Sequence, residues 1–445
     1  MMEKVFAELE RALAAGGLGD FEVYVERVQS RQFEAKDRAL ESSLEATQEG
    51  AALRVFREGR VAFGYTTDLS PAALRAMAET VAASLPWVDR EAGLEPAAPA
   101  PLPALDLKNY EPALRQISPA RKLEAAIAME AAAQDFDPRI RHVRSAAYEE
   151  KVSTLQIRNS RGIDVAYTRS RCQLGVMAVA EQDGEAESAY EFDAAPGFEV
   201  LDPMAIGRAA AARAASYLGG STPTSRRVPV LLDPLVACEI LEVLVASFQG
   251  DAVFKHRSYL SGRLGQRVYS ELLQVEDDGL LPEGAASCPF DGEGLPGRRL
   301  PLVTDGVVAN FLLDRVYAPK LGLPANASTV RRGLQRPPFL SYTNLRIAPG
   351  LVSDEALLRE IGKGLWVTET IGMHAANPVT GDFSIGVQGF LIEGGERRVP
   401  VKKLALAGNL HQMMAELRAV GSNFRVSGQI GAPSLAIQEM AVGGS

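Results

Sequence analysis

One helix-like segment places three reactive side chains within five positions. In "DPLVACEILEVLVASFQG", residues 233–250, Cys238 and Glu242 stand four residues apart and Glu239 follows the first of them. Residues i and i+4 share one face of a helix, and zinc proteases use this spacing to aim two ligands at the metal while a neighbouring glutamate serves as base. Here a thiol and a carboxylate stand where imidazoles are usual. We therefore expect a buried cysteine with two surface glutamates rather than a metal site.

A second group of reactive residues has the residue types of a hydrolytic triad, but only their closeness in sequence suggests one. His374, Asp382 and Ser384 lie within eleven residues of one another. A Ser-His-Asp triad is defined by three-dimensional geometry, and no G-x-S-x-G elbow surrounds Ser384. The four histidines of the chain form no HxH, HxxxH or HExxH pair. We expect a turn and structural histidines here rather than a catalytic site.

The segment "FDGEGLPGRR", residues 290–299, combines three glycines with two acids. It cannot be a phosphate-binding loop, because it lacks the GK[ST] ending and its acids would repel an anion. Asp291 and Glu293 could offer oxygen ligands to calcium. A glycine-rich turn leading into the next strand is the interpretation that we favour.

The elements that position these residues are marked by caps and turns. Four helices are predicted to begin where a small polar residue precedes a proline, because proline at the first helical position loses no hydrogen bond. These starts are Ser70-Pro71, Ser118-Pro119, Asp202-Pro203 and Asp233-Pro234. Hairpins are predicted at Glu58-Gly59 and Asp305-Gly306. Hairpins without regular βαβ alternation predict an α+β fold, with antiparallel sheets and packed helices.

Length and composition predict several domains. A chain of 445 residues is too long for one ordinary core. Residues 91–106 are rich in proline and alanine, which predicts an extended connector on the surface. We predict two N-terminal α+β units, residues 1–110 and 111–225, followed by a strand-rich C-terminal domain, residues 226–445.

The composition of the chain also limits the cellular compartment and the kinds of binding partner that we expect for it. No apolar run approaches the ~20 residues that cross a bilayer, and the N-terminus reads as an amphipathic helix rather than a signal peptide, so we expect a cytoplasmic protein without a membrane partner. Cys172, Cys238 and Cys288 form no CxxC pair, which predicts reduced, mostly buried thiols. The net charge of -9 disfavours nucleic acid as a partner.

Three segments in the C-terminal half, taken in order, resemble one known family. "FDGEGLPGRRLPLVTDGVVANFLLDRVYAPKLG", "NPVTGDFSIGVQGFLIEGGERRVPV" and "LALAGNLHQMM" are similar to its D-x-E-G-x-P hairpin, its N-x-x-T-G-D-[FY]-S segment with an E-x-G-E hairpin, and its T-I-A-G-N-L-x-D-M segment. The family is TldD/PmbA (TldE), described both as modulators of DNA gyrase and as a metalloprotease pair. The resemblance spans nearly the whole chain.

The resemblance carries an expectation about zinc. TldD-type members bear H-E-x-x-x-H on the helix that opens the C-terminal domain, with a further cysteine near the C-terminus. In this chain the first histidine position holds Cys238, the glutamate is kept as Glu239, and the second histidine position holds Val243. The C-terminal segment contains no cysteine, and "VFKHRSYLSGRLGQRV" resembles the PmbA/TldE branch, which lacks the zinc motif. The resemblance therefore implies no catalytic residue, metal or other cofactor in this chain.

The same resemblance implies a function and partners. A PmbA/TldE-type subunit pairs with a zinc-bearing TldD-type subunit, and the pair degrades or processes peptides inside a closed chamber. The alternative is a metal-free homodimer that binds peptides or a regulatory partner without catalysis.

The polar run "NPVTGDFS" has two interpretations. In the family it would line the peptide cavity or a subunit interface, where glycine allows close backbone approach and polar side chains offer hydrogen bonds. The candidate residues are Asn377, Thr380, Gly381, Asp382 and Ser384. Equally, the run is a tight turn between strands that binds no ligand.

Overall fold

The computed structural model describes residues 2–91 and 94–444. Its α-helices are α1 Met2–Ala15, α2 Pro71–Ser84, α3 Pro119–Gln134, α4 Pro203–Tyr217, α5 Pro234–Leu244, α6 Gly250–Phe254, α7 Tyr317–Lys320, α8 Asp354–Ile361 and α9 Leu410–Ala415. Within the described ranges, none of these helices has the length and apolar character needed to cross a membrane.

The strands fall into an N-terminal and a C-terminal set. The first set is β1 Asp20–Lys36, β2 Ala39–Arg57, β3 Arg60–Thr66, β4 Ile140–Asn159, β5 Asp164–Gln182 and β6 Glu185–Ala195. The second set is β7 Arg226–Leu232, β8 Val275–Asp278, β9 Arg299–Thr304, β10 Val307–Val308, β11 Thr329–Val330, β12 Phe339–Leu340, β13 Leu345–Ile347, β14 Lys363–Ile371, β15 Asp382–Glu393, β16 Glu396–Asn409, β17 Leu417–Val420, β18 Arg425–Ser427, β19 Ile430–Ala432 and β20 Leu435–Gly443.

The predicted helix starts and hairpins are confirmed. α2, α3, α4 and α5 each begin with proline, and the preceding side chain accepts a hydrogen bond from a backbone N–H of the first turn. The β2–β3 hairpin turns on Glu58 and Gly59, and the β9–β10 hairpin on Asp305 and Gly306. All four residues have positive φ, which matches the twist of the flanking strands.

The first six strands form one antiparallel sheet, in the order β3-β2-β1-β4-β5-β6. One face packs against α1 and α2 at one end and against α3 and α4 at the other. The opposite face packs against the C-terminal half of the chain through Tyr24, Ile157 and Phe290. This sheet contains strands from both predicted N-terminal units, and the boundaries near 110 and 225 stay predictions.

The C-terminal half contains two further six-stranded sheets. One has the order β16-β15-β14-β7-β20-β17, and an additional β16–β20 pairing closes five of its strands into a barrel. The other has the order β10-β9-β8-β13-β19-β18 and ends in β18. α5 packs against β14, β18 and β19, so it lies between the two sheets. The predicted α+β class, with antiparallel sheets and a strand-rich C-terminal half, is confirmed.

The predicted connector differs from the structure in one respect. Residues 94–106 contain no helix or strand, as expected, whereas residues 92 and 93 of the predicted connector lie outside the described part. Ala97, however, is fully buried, and its carbonyl accepts a hydrogen bond from Asn159 Nδ2 at 2.8 Å. The surface location was therefore wrong for this part, because a polar side chain of the first sheet anchors the segment.

Candidate functional site

Cys238 lies on the inner side of α5, which begins after the Asp233 cap. Its Sγ donates to the carbonyl oxygen of Ile430 at 3.4 Å and lies 3.7 Å from that of Arg425. Burial raises the pKa of the Cys238 thiol to about 12. The thiol is therefore protonated at neutral pH, and its hydrogen bonds stabilise β18 and β19.

The other two residues of this segment have different environments. Glu239 is half-buried, and the Thr370 hydroxyl of β14 donates to its Oε2. Burial raises the pKa of Glu239. Glu242 is exposed. The prediction that both glutamates lie on the surface is therefore wrong for Glu239, because β14 packs beside α5 and partly covers this side chain.

The residues at the motif positions do not fit a zinc ion. A zinc site needs three or four protein ligands, and the sulfur at the first position is directed at the backbone carbonyls of Ile430 and Arg425. Val243, at the second position, packs against the core and has no donor atom. Across residues 2–91 and 94–444, no three His, Cys, Asp or Glu side chains are grouped so that they could hold a metal.

The run 377–384 forms a turn whose polar groups bond to one another. Asn377 Oδ1 accepts from the N–H of Val379 and Thr380, its carbonyl accepts from Gly381 N at 2.8 Å, and its own N–H donates to the carbonyl of Asp382. Asp382 N donates to the Thr380 hydroxyl at 3.3 Å. Ser384 is exposed on β15. The turn is thus confirmed, and a role in peptide or partner binding stays a prediction.

Two segments that are distant in sequence meet at this turn. Asn409 Nδ2 donates to the Thr380 carbonyl and to Asp382 Oδ1, both at 2.8 Å, while Asn409 Oδ1 caps α9. The bond from Asn409 lowers the pKa of Asp382. Within the described ranges no hydrogen bond joins His374 to Asp382 or Ser384. The residues of the disfavoured triad are therefore not assembled as one.

Asp291 and Glu293 lie in a buried cluster rather than in a cation site. Asp291 Oδ1 accepts from Glu293 N and from Leu295 N, both at 2.9 Å, and Oδ2 accepts from the Thr329 hydroxyl at 2.5 Å. Glu293 Oε1 accepts from Arg54 at 2.9 Å. Burial, with the nearby Glu293, raises the pKa of Asp291 to about 6. The favoured interpretation, a turn leading into a strand, matches this arrangement.

Beside α5, three cavities adjoin one another, and two of them lie between the first sheet and the C-terminal half. Their volumes are about 280, 120 and 400 Å³. The first contains Cys238 and Glu239 in its wall and shares Arg332 with the second, and Gln429 lines all three. We call these three cavities together the cleft. The altered motif of α5 lies in the wall of one of them.

Residues of the cleft wall that sequence reasoning missed lie on β5. Arg169 lines the cavity of about 120 Å³ and Arg171 that of about 400 Å³. The alternation in "YTRSRCQ" was the available signal, because residues two apart on a strand face the same side. Only the packing of the two halves shows that this side faces a cavity.

Comparison with known proteins matches three consecutive models of one family to this chain. They are described as PmbA/TldA metallopeptidase domain 1, central domain and C-terminal domain, and they match residues 21–85, 112–218 and 225–444. The chain belongs to the PmbA/TldD metallopeptidase family. The family suggested by the three sequence segments is thereby confirmed.

Relatives in this family align over almost the whole chain. Metalloprotease PmbA of Escherichia coli O157:H7 is 30% identical over 449 residues, which cover 99% of this chain and 96% of the relative. A Metalloprotease PmbA homolog of Haemophilus influenzae is 28% identical, over 100% of this chain and 96% of the relative. The chain therefore aligns from end to end with proteins that are named as metalloproteases.

Solved structures agree in fold. A Thermotoga maritima protein described as a modulator of DNA gyrase has a TM-score of 0.88 at 26% identity, covering 99% of this chain and 100% of that one. TldE from Thermococcus kodakarensis has a TM-score of 0.89 at 19% identity, covering 98% of this chain and 100% of that one. The second likeness shows the fold alone.

Proposed function

We propose that this chain is the PmbA/TldE-type, non-catalytic subunit of a cytoplasmic peptidase whose zinc is carried by a TldD-type partner. The observation that carries the proposal is the chemistry at the two motif positions on α5. Cys238 is a buried thiol that donates to backbone carbonyls, and Val243 is a partly buried apolar side chain that packs against the core. The two positions therefore offer at most one of the three protein ligands that a catalytic zinc requires.

The retained glutamate supports the same proposal. A glutamate next to a zinc ligand can serve as base because the metal lowers the pKa of its bound water towards neutrality. Without ligands for the metal, Glu239 has no activated water to deprotonate. The Thr370 hydroxyl instead gives it a structural partner.

Membership of a metallopeptidase family supports peptides as the ligand. A cavity of about 280 Å³ adjoins the altered motif of α5, where we propose that a peptide contacts this chain. Free thiols at Cys172, Cys238 and Cys288 accord with the reducing cytoplasm that we propose.

Glu239→Gln tests the non-catalytic assignment. Zinc content and cleavage of an unstructured peptide are measured for the purified chain, alone and with a TldD-type partner. We expect zinc and cleavage only with the partner, and we expect the Glu239→Gln chain to support cleavage within about twofold of wild type. A partner variant whose zinc-motif glutamate is replaced by glutamine provides the matched control and should lose cleavage at least about 100-fold.

Other outcomes would identify a different function. Stoichiometric zinc in the chain alone, or solitary cleavage that Glu239→Gln abolishes, would make this chain a hydrolase and contradict the proposal. A stable homodimer that binds peptides and gains nothing from the partner would support the metal-free binding protein instead.

A further inference from the structure

Three cationic side chains share the face of the first sheet that contacts the C-terminal half. In the register of β4 and β5, Lys151 stands directly opposite Arg171, and Ser153 stands opposite Arg169. Tyr167 and Leu155, a directly opposed pair on the same face, pack in the interface between the halves. Arg169 and Arg171 are half-buried and line cavities of the cleft, whereas Lys151 is exposed beside Arg171.

None of these three charges forms a salt bridge with another described residue. Across residues 2–91 and 94–444, no carboxylate oxygen lies within 4.0 Å of the side-chain nitrogens of Lys151, Arg169 or Arg171. Asp193 lines the same cavity as Arg171 and attracts it, but none of its oxygens comes within 4.0 Å of the guanidinium. Burial lowers the pKa of Arg171, and the nearby Cys172 and Asp193 oppose this effect only in part.

The arrangement carries a structural cost. Like charges directly opposite each other on neighbouring strands are unfavourable, and Lys151 and Arg171 are so placed, with Lys151 exposed to solvent. The protein is acidic overall, with a net charge of -9, and it pairs other buried arginines, such as Arg54, with glutamates. An unpaired cationic group in the wall of a cavity is therefore the feature expected of an anion site.

Geometry favours a carboxylate as the anion. Residues i and i+2 of a strand are roughly 6.6 Å apart, so the guanidinium groups of Arg169 and Arg171 can reach one carboxylate or two neighbouring ones. Phe192 lines the cavity of Arg171 and offers an apolar wall beside it.

We propose that Arg169 and Arg171, with Lys151 beside them, form a carboxylate-binding subsite that gives the cleft a preference for acidic peptides. This inference rests on the proposed function in one respect, namely that the ligand of the cleft is a peptide. The carboxylate is either an Asp or Glu side chain or the C-terminus of the peptide.

Fluorescence anisotropy with the full-length chain tests the subsite. The probes are a flexible labelled peptide containing two Glu residues and its twin with Gln at both positions, each made with a free and with an amidated C-terminus. We expect the Glu peptide to bind about tenfold more tightly than its Gln twin at low salt, with the difference shrinking as salt rises. Should only amidation weaken binding, the C-terminal carboxylate is the recognised group.

The variants are Arg169→Gln and Arg171→Gln, with Arg208→Gln as the charge-matched control. Arg208 is exposed on α4, which packs on the opposite face of the first sheet. Each cleft variant should reduce the preference for the carboxylate about tenfold and leave binding of the amidated Gln twin unchanged. Arg208→Gln should keep the full preference. Unchanged binding of the neutral twin also shows that the variants are folded.

Three results would overturn the subsite: equal binding of all four peptides, a carboxylate preference that survives in both cleft variants, or no binding of any probe to the full chain. Failure of the proposed function is read separately, from partner-dependent cleavage of the neutral twin. That cleavage does not require the subsite, so either idea can fail while the other stands.

Discussion

At the scale of single residues, His411 shows how burial decides what a histidine can do. Its ring stacks on Tyr259 at 4.0 Å, its Nδ1 lies 3.0 Å from the Tyr269 hydroxyl, and its Nε2 lies 3.2 Å from Ser247 Oγ. Burial, followed by the charge of Arg263, lowers the pKa of His411 to about 4. The ring is therefore neutral at physiological pH and structural, as we expected for the isolated histidines.

This pKa predicts a pH dependence of stability. Because the folded-state pKa of His411 lies below the value of 6.5 in the unfolded chain, only the unfolded chain binds the proton between pH 6.5 and 4. The contribution of the neutral His411 ring to the free energy of unfolding is fully present above pH 6.5. It falls by on the order of 3 kcal/mol as the pH decreases towards 4. We expect His411→Gln to lose this dependence in denaturant titrations at several pH values.

The exposed His374 provides the control for that measurement. His374→Gln should leave the pH dependence of the free energy of unfolding as in wild type. Parallel curves for His411→Gln and wild type between pH 4 and 7 would contradict the assignment.

At the scale of elements, the turn at 377–384 depends on one glycine. Gly381 has a φ of +81°, and a Cβ built on it would lie 2.8 Å from His411 Cδ2. His411 cannot yield easily, since both ring nitrogens have hydroxyl partners. The turn and α9 are therefore packed too closely for any larger residue at this position.

Alanine substitutions at two glycines should separate the cost of backbone strain from the cost of the steric clash with His411. Gly381→Ala combines backbone strain with a steric clash, and we expect it to lower the free energy of unfolding by more than about 2 kcal/mol. Gly394→Ala, with a φ of +63° and no atom within 4 Å of the added Cβ, should cost only about 1 kcal/mol. Chemical denaturation of both variants measures the difference. Equal losses would show that the contact with His411 has no effect.

At the scale of the whole molecule, a buried ionic cluster joins the first sheet to the C-terminal half. Arg54 donates to Glu22 at 2.9 and 2.6 Å and to Glu293 at 2.9 Å, and Arg331 also binds Glu22. Burial opposes ionisation of Glu22, but the two arginines outweigh it and lower its pKa. The cluster therefore links β1 and β2 to residues 293 and 331 of the C-terminal half.

Removing one charge of this cluster should destabilise the protein strongly. Arg54→Met leaves Glu22 and Glu293 buried with one cation fewer, so we expect a loss of about 3–5 kcal/mol in the free energy of unfolding. Arg90→Met, which breaks the exposed pair with Glu58, should cost less than about 1 kcal/mol. Urea denaturation compares them, and a similar small loss for both would mean that the cluster contributes no more than a surface pair.

Local patterns in the sequence predicted the elements and the family. Caps such as Ser70-Pro71 and hairpin turns such as Glu58-Gly59 were located correctly because each depends on the φ preference or hydrogen bond of adjacent residues. The α+β class followed from the same signals. The three ordered segments of the C-terminal half indicated the family.

Tertiary structure alone decided the environment of each candidate side chain. Nothing local to α5 shows that Glu239 contacts Thr370, that Cys238 bonds to carbonyls near β18 and β19, or that Arg169 faces a cavity. These contacts join residues far apart in sequence, and pairings between strands are set by how whole sheets pack. Burial and charge pairing, and hence pKa and binding capacity, are properties of that packing rather than of any short stretch of sequence.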